Sequence, residues 1–345
     1  MVLGALIALF KDDLKALLAF STVSHLGLLT MLLGFGTHAA AIAAVFHIIN
    51  HLTFKAALFM TAGIVDHETH TRDIKRLGGL RHLMPITFLI GTVAALSMAG
   101  IPLFNGFLSK ELMLEEASHT TWFNSDLFVP ILATLGALLS VAYSLRFISH
   151  VFLGPVRDDY PHKPHDPPFG MWAAPALLTV LVVVIGVAPF LAEGIVKAAA
   201  NAVTGTELKL YLKIWHGFTP ALGMSVFAIF GGAVLLAIHR PLDGAWIAAP
   251  RPEAKVIFDR VISAIVRTCS WITETSHNGA ISRYLAIFTV ASVVLGWIAY
   301  STSGLSAPTR GHLPVAPVIA VGWIMLIVAT ISIAFVHHQR FYALI

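Results

Sequence analysis

This sequence predicts an all-α, polytopic membrane protein, on three observations. The 345-residue chain is 57% hydrophobic and only 12% charged, where soluble domains carry about 25% charged residues. Apolar runs long enough to cross ~30 Å of hydrocarbon recur along its length. The cations outside those runs collect mostly on one side of the topology they define. A single cysteine, Cys269, leaves no internal disulfide and no multi-thiolate metal or iron–sulfur site. The net charge of +4 comes from residues flanking spans and gives no sign of nucleic acid.

The opening VLGALIALF is about half a span, and the final RFYALI stops as an apolar run begins. The chain therefore reads as a piece of a longer one, cut at both ends. Spans are expected at about 16–36, 39–64, 84–118, 127–153, 172–195, 218–238, 284–301 and 315–336. The third cannot be one straight helix, because over 84–118 it would be roughly 52 Å long. Its middle, SMAGIPLFNGFLSKE, strings together Gly100, Pro102, Asn105 and Gly106, all helix breakers. Two half-helices joined by a short loop at membrane depth are predicted, a device that recurs at transporter ion sites.

Alternating the chain through these spans puts Lys11, Lys15, Arg72, Lys75, Arg76, Arg81 and most later loop cations on one side. The other side receives Lys197, Lys209, Lys213 and Arg310, while Lys55, Lys110 and Arg146 lie within spans. The cation-rich side is cytoplasmic by the positive-inside rule. Residues 253–280 are amphipathic, with Val256, Phe258, Val261, Ile262 and Ile265 opposed to Asp259, Arg260 and Arg267. That segment is expected to lie flat at the interface. Three regions follow: a core over 1–153, peripheral spans with the amphipathic helix over 154–301, and the start of a C-terminal extension over 302–345.

The chemistry sits in AIAAVFHIINHLTFKAALFMTAGIV, where His47, His51 and Lys55 recur at i, i+4 and i+8. They form a polar stripe on an apolar rod. Each ionisable group in hydrocarbon costs a few kcal/mol or more unless paired or wetted, so such a stripe points to a proton path. Imidazole titrates near neutrality and suits a relay between buried lysines. Lys110 and Glu111 follow the break, His25 lies one turn below Ser21 and Thr22, and Lys15 follows Asp12 and Asp13 at a helix start. Lys15 reads equally as a boundary lysine, and Arg146 as a structural cation. His67/His70 and His162/His165 have loose metal-ligand spacing, but they lie in loops without further ligands. No metal or cofactor is expected.

The segments DDLKALLAFSTVSHLG, FHIINHLTFKAALFMTAG, TRDIKRLGGL and AGIPLFNGFLSKE, in that order, strongly resemble the antiporter-like subunits shared by Mrp cation/proton antiporters and respiratory complex I. The VDHETHTRD loop, the LSKELM wording and a further span after the amphipathic helix resemble the large, A-type component of the Mrp complex most. The resemblance covers nearly the whole chain, loosely after about residue 170. It implies an antiporter-like helical bundle in which the family's relay lysine of the tenth helix falls on Lys15. The family's next histidines and lysine fall on His47, His51 and Lys55, and its broken-helix lysine and acid on Lys110 and Glu111. His25 stands where the family often has Gln. The family's Glu–Lys pair should lie upstream, so this chain would hold the second half-channel and not transport alone.

By the same resemblance the partners are other Mrp subunits, the bilayer of a bacterial cell membrane, H⁺ and Na⁺ or K⁺. The implied activity is antiport, with no covalent chemistry. The rival readings are a proton-translocating membrane subunit of an NADH–quinone oxidoreductase, and a transport-silent scaffold.

Overall fold

The computed structural model describes residues 1–157, 160, 162–208, 210–215, 217–249, 254–277, 279, 281–304 and 316–336. The described residues divide into two compact units, one ending at Pro250 and the other beginning at Arg251.

The first unit opens with α1 (Val2–Leu9), α2 (Leu14–Phe35) and α3 (His38–Thr69). Local chemistry sets their ends. Asp13 accepts the Ala16 amide at 2.8 Å to start α2, and Thr37 accepts the Ala40 amide at 3.0 Å to start α3. Gly36, at φ 71°, makes the left-handed turn between them. At 32 residues α3 is about 48 Å long, so its last turns project beyond the hydrocarbon.

The expected break is present. α4 (Pro85–Ala99) and α5 (Asn105–Ser118) are separate helices. Asp166 starts α4 by accepting the amides of Ile86 and Thr87, each at 2.9 Å. α6 (Phe128–Val151) and α7 (Phe169–Val187) follow. The apolar run expected to continue to residue 195 stops at Ala188. The residue before a proline is pushed out of helical conformation, and Ala188 sits at φ −132°, ψ 65° ahead of Pro189. A 3₁₀ turn then leads into α8 (Glu193–Thr204). α9 (Pro220–Ala237) is followed by α10 (His239–Ala248), a short helix the sequence pattern did not announce.

The helix ends around the α1–α2 turn are clasped by charge. Arg146, 1% exposed, donates from Nη1 to Leu9 O (2.8 Å) and Lys11 O (2.6 Å), and from Nη2 to Asp12 Oδ1 (2.6 Å). Arg146 is therefore placed structurally, gathering the α1–α2 turn onto α6. The 70–76 loop is stitched to the same turn by Leu14 N to Arg72 O (2.9 Å) and Ile74 N to Asp12 O (2.8 Å). Ion pairs Arg72–Asp13 (3.1 Å) and Lys75–Asp12 (2.7 Å) flank those bonds. Asp12 is over a third exposed, so its ion pair contributes less than the buried carbonyl bonds. Arg146→Ala is expected to destabilise by about 2 kcal/mol, because it leaves Lys11 O without its guanidinium donor and strips one hydrogen bond each from Leu9 O and Asp12. A lowered thermal midpoint of the purified full-length assembly would show this; an unchanged one would remove the clasp.

Burial disfavours the Asp12 charge, but hydrogen bonds from Lys75 and Arg146 outweigh it and hold the carboxyl below its ordinary range. A depressed carboxyl stabilises the fold above its unfolded pKa, and that stability is lost as pH falls through the folded one. The thermal midpoint should therefore fall below about pH 4. Asp12→Asn should flatten this acid limb, and an identical limb in the variant would exclude Asp12 as its source.

The second unit contains α11 (Ala254–Ser276), α12 (Ile281–Thr302) and α13 (Pro317–Val336). α11 is the expected amphipathic helix and α12 is long and apolar enough to span. Across the described residues six helices meet that length and hydropathy; with the shorter apolar helices at 85–99 and 317–333 they make a multi-pass membrane protein.

Candidate functional site: a buried relay beside the broken helix

α4 ends because Gly100 takes φ 84°, which lets its amide and that of Ile101 turn back onto Leu96 O, each at 3.1 Å. That leaves the carbonyls of Met98 and Ala99 pointing out of the helix end. Lys110 fills the place: its Nζ donates to Met98 O (2.6 Å), Ala99 O (3.1 Å) and Ser140 Oγ (2.7 Å). A helix C-terminus carries negative partial charge, so the ammonium sits where the fold most favours it.

On the other side of the break the Gly106 amide donates to Ser97 Oγ (3.1 Å), and Ser97 donates to Asn105 Oδ1 (2.7 Å). Asn105 Nδ2 reaches Thr53 Oγ1 (3.0 Å), and Asn50 Nδ2 reaches Asn105 O (2.9 Å). A Cβ on Gly106 would collide with Ser97 O, so only glycine lets the half-helices approach this closely. The polar side chains of the break are buried and satisfy its loose backbone groups.

From Lys110 a chain of hydrogen bonds runs through the bundle. Ser140 Oγ lies 2.9 Å from Tyr143 Oη, which lies 3.2 Å from His25 Nε2. His25 Nδ1 is 2.9 Å from His47 Nε2, and His47 Nδ1 is 2.9 Å from Ser109 Oγ. Ser140, Tyr143, His25, His47, Ser109 and Lys110 are all buried. Each neutral imidazole donates from one nitrogen and accepts at the other, and each hydroxyl does both. The chain can therefore be written with every donor pointing from Lys110 towards Ser109, or with the hydroxyls and imidazoles reversed. A proton entering at one end and leaving at the other converts one arrangement into the other.

The structure thus joins His25, His47 and Lys110 from the expected set. His51 is a branch, its ring centroid 5.1 Å from that of His25 and 6.1 Å from that of His47. Its Nε2 has no hydrogen-bond partner among the described residues. Lys55, one turn further along α3, is buried and donates to Leu18 O (3.1 Å) and to Ser21 Oγ. Glu111 is buried beside Lys110 on α5. Lys15 lies apart, 40% exposed, its ammonium 2.8 Å from Asp66.

Ser140, Tyr143 and Ser109 were not singled out from sequence. Ser140, Tyr143 and Ser144, at i, i+3 and i+4 in an otherwise apolar run, were the available signal. Of the histidines expected in loops, His67 instead lies in the last turn of α3, because that helix runs on to Thr69. His67 and His165 both meet Glu68, at 3.0 and 2.8 Å, and His70 packs edge-on to His162. Among the described residues no cluster of three or more His, Cys, Asp or Glu is arranged to hold a metal.

Residues 1–136 match the family described as "NADH:quinone oxidoreductase/Mrp antiporter, TM". That match takes in 136 of the chain's 345 residues. Similar antiporter-family proteins include a probable K⁺/H⁺ antiporter A/B subunit of Rhizobium meliloti, 46% identical over 274 residues, which span 79% of this chain and 27% of the relative. The Na⁺/H⁺ antiporter A subunit of Alkalihalophilus pseudofirmus is 36% identical over 97% of this chain and 46% of its own length. The chain thus spans between about a quarter and a half of these antiporter subunits. Among solved structures, the Mrp complex from Dietzia sp. matches 96% of this chain, and 36% of its own, with TM-score 0.71 and 33% identity. Respiratory complex I from Thermus thermophilus matches 59% of this chain, and 41% of its own, with TM-score 0.51 and 26% identity.

Proposed function

We propose that the chain is part of a membrane subunit of a multisubunit antiporter that exchanges a monovalent cation for H⁺ across a bacterial cell membrane. The observation that carries this is the unbroken chain of hydrogen bonds Lys110–Ser140–Tyr143–His25–His47–Ser109, a buried circuit that leaves and rejoins the broken helix at adjacent residues of α5. Hydroxyls and imidazoles linked in this way pass protons from group to group, which is what a proton branch requires. Lys110 supplies or receives the proton at one end, with Glu111 setting the local charge. His51 and Lys55 form a side branch, and Lys15 with Asp66 guards the cytoplasmic entry. The chain works by transport, not covalent chemistry, together with other subunits of its complex. The relatives' names divide between K⁺ and Na⁺, so both belong in the test.

The second reading is a proton-translocating subunit of an NADH–quinone oxidoreductase, favoured by the likeness to complex I. The likeness to the Mrp complex covers more of the chain at a higher TM-score, which favours exchange. Everted vesicles containing the full-length complex, with respiration inhibited and a pH gradient imposed, decide between them. Addition of Na⁺ or K⁺ is expected to dissipate the gradient, and His47→Ala to reduce that response to background at matched assembly. An intact response in His47→Ala would take the imidazole out of the path. No wild-type response, with proton pumping that needs NADH and quinone, would favour the second reading.

A further inference from the structure

We propose that the oxygen cage around the Lys110 ammonium is a monovalent-cation site, which Na⁺ or K⁺ occupies when Lys110 passes its proton to Ser140 and withdraws. Three oxygens converge on one point: Met98 O, Ala99 O and Ser140 Oγ. Two are main-chain carbonyls released by the break, and the third is a hydroxyl. Such oxygens replace the hydration shell of alkali cations in selective pores and at the unwound helices of transporters. The cage presents carbonyl and hydroxyl dipoles, which suit a single positive charge better than a double one. The partial negative charge of the α4 C-terminus adds to their pull.

Beside the cage is a cavity of about 10 Å³ lined by Ser24, His25, Lys110, Ser140 and Tyr143. That is about the space one water needs, enough to add a fourth ligand. The proton balance is explicit. The ammonium gives H⁺ to Ser140, Ser140 gives its own to Tyr143, and Tyr143 gives its own to His25 Nε2. Neutral lysine and charged imidazole result. Once that proton leaves by His47, one cation enters and the charge at the break is restored. Titratable groups around the site are His25 on α2, His47, His51 and Lys55 on α3, Glu111 on α5 and Tyr143 on α6; α4 carries none.

The site rests on the exchange reading above, so its test measures binding without transport. Equilibrium binding of radiolabelled Na⁺ and K⁺ to the purified full-length complex, in detergent without a gradient, is followed against pH. In wild type one proton leaves per cation bound, so apparent affinity should rise about tenfold per pH unit while Lys110 is protonated. Lys110→Met should bind with that dependence flattened, and Ser140→Ala should bind at least tenfold more weakly. Lys110→Met retaining the wild-type slope, or Ser140→Ala retaining wild-type affinity, would overturn the site. Absent binding alongside intact vesicle exchange would refute the site and leave antiport standing. The expected binding pattern without vesicle exchange would uphold the site and refute antiport.

Discussion

Lys110→Ala is expected to abolish cation-dependent collapse of a pH gradient in vesicles holding the full-length complex. The ammonium is the cationic end of the buried chain, and it alone among the described residues donates a charged hydrogen bond to Ser140. Truncation removes both the proton source and the charge that alternates with an incoming cation. It also leaves Met98 O and Ala99 O without their ammonium donor, a cost of about 1–3 kcal/mol if water does not replace it. The two effects separate by measurement. Stability appears in the thermal midpoint and in the yield of assembled complex, whereas exchange appears only in the gradient. Wild-type exchange rates in an assembled Lys110→Ala complex would remove the lysine from the mechanism. Lys15 offers the contrast. Half-exposed and paired with Asp66, it belongs to a class of ion pairs worth about 1 kcal/mol or less.

What was legible in the sequence follows from what the membrane penalises. His47, His51, Lys55 and Lys110 stood out because charge in hydrocarbon is expensive, and the structure buries His47, Lys55 and Lys110. The break was legible because Gly100 and Pro102 both disfavour helix and sit together inside a run too long to be one. Tyr143 and Ser140 were not legible as relay members. Hydroxyls are tolerated in spans by bonding their own helix, and Ser144 does so, to Ser140 O at 2.7 Å. Nothing in α6 alone says that Ser140 faces Lys110, since that contact joins residues 30 apart. Lys15 shows the converse. Its sequence neighbours gave no hint of Asp66, 51 residues away, because that pairing depends on how far α3 extends beyond the membrane. The turn at Ala188 was announced by Pro189, but unbroken hydropathy over 172–195 masked it.

Tyr143→Phe tests the relay with the smallest change. The ring is fully buried and its packing survives the substitution, while the one atom removed links Ser140 to His25. Losing it leaves His25 Nε2 without its hydroxyl, a cost of about 1–3 kcal/mol in a buried site. That is small enough for the complex to assemble. The chain from Lys110 to His47 is then open at its midpoint. A positioned proton-transfer group contributes on the order of 10²–10⁴ in rate, so exchange should fall to about one hundredth of wild type or lower. The cavity between Ser24, His25, Lys110 and Ser140 is the available bypass, and any residual rate measures how well a water there replaces the phenol. A residual rate driven by that water should show a larger solvent deuterium effect than wild type. Undiminished exchange in Tyr143→Phe would mean that protons reach His25 by another route, and the relay would then reduce to the His25–His47–Ser109 segment.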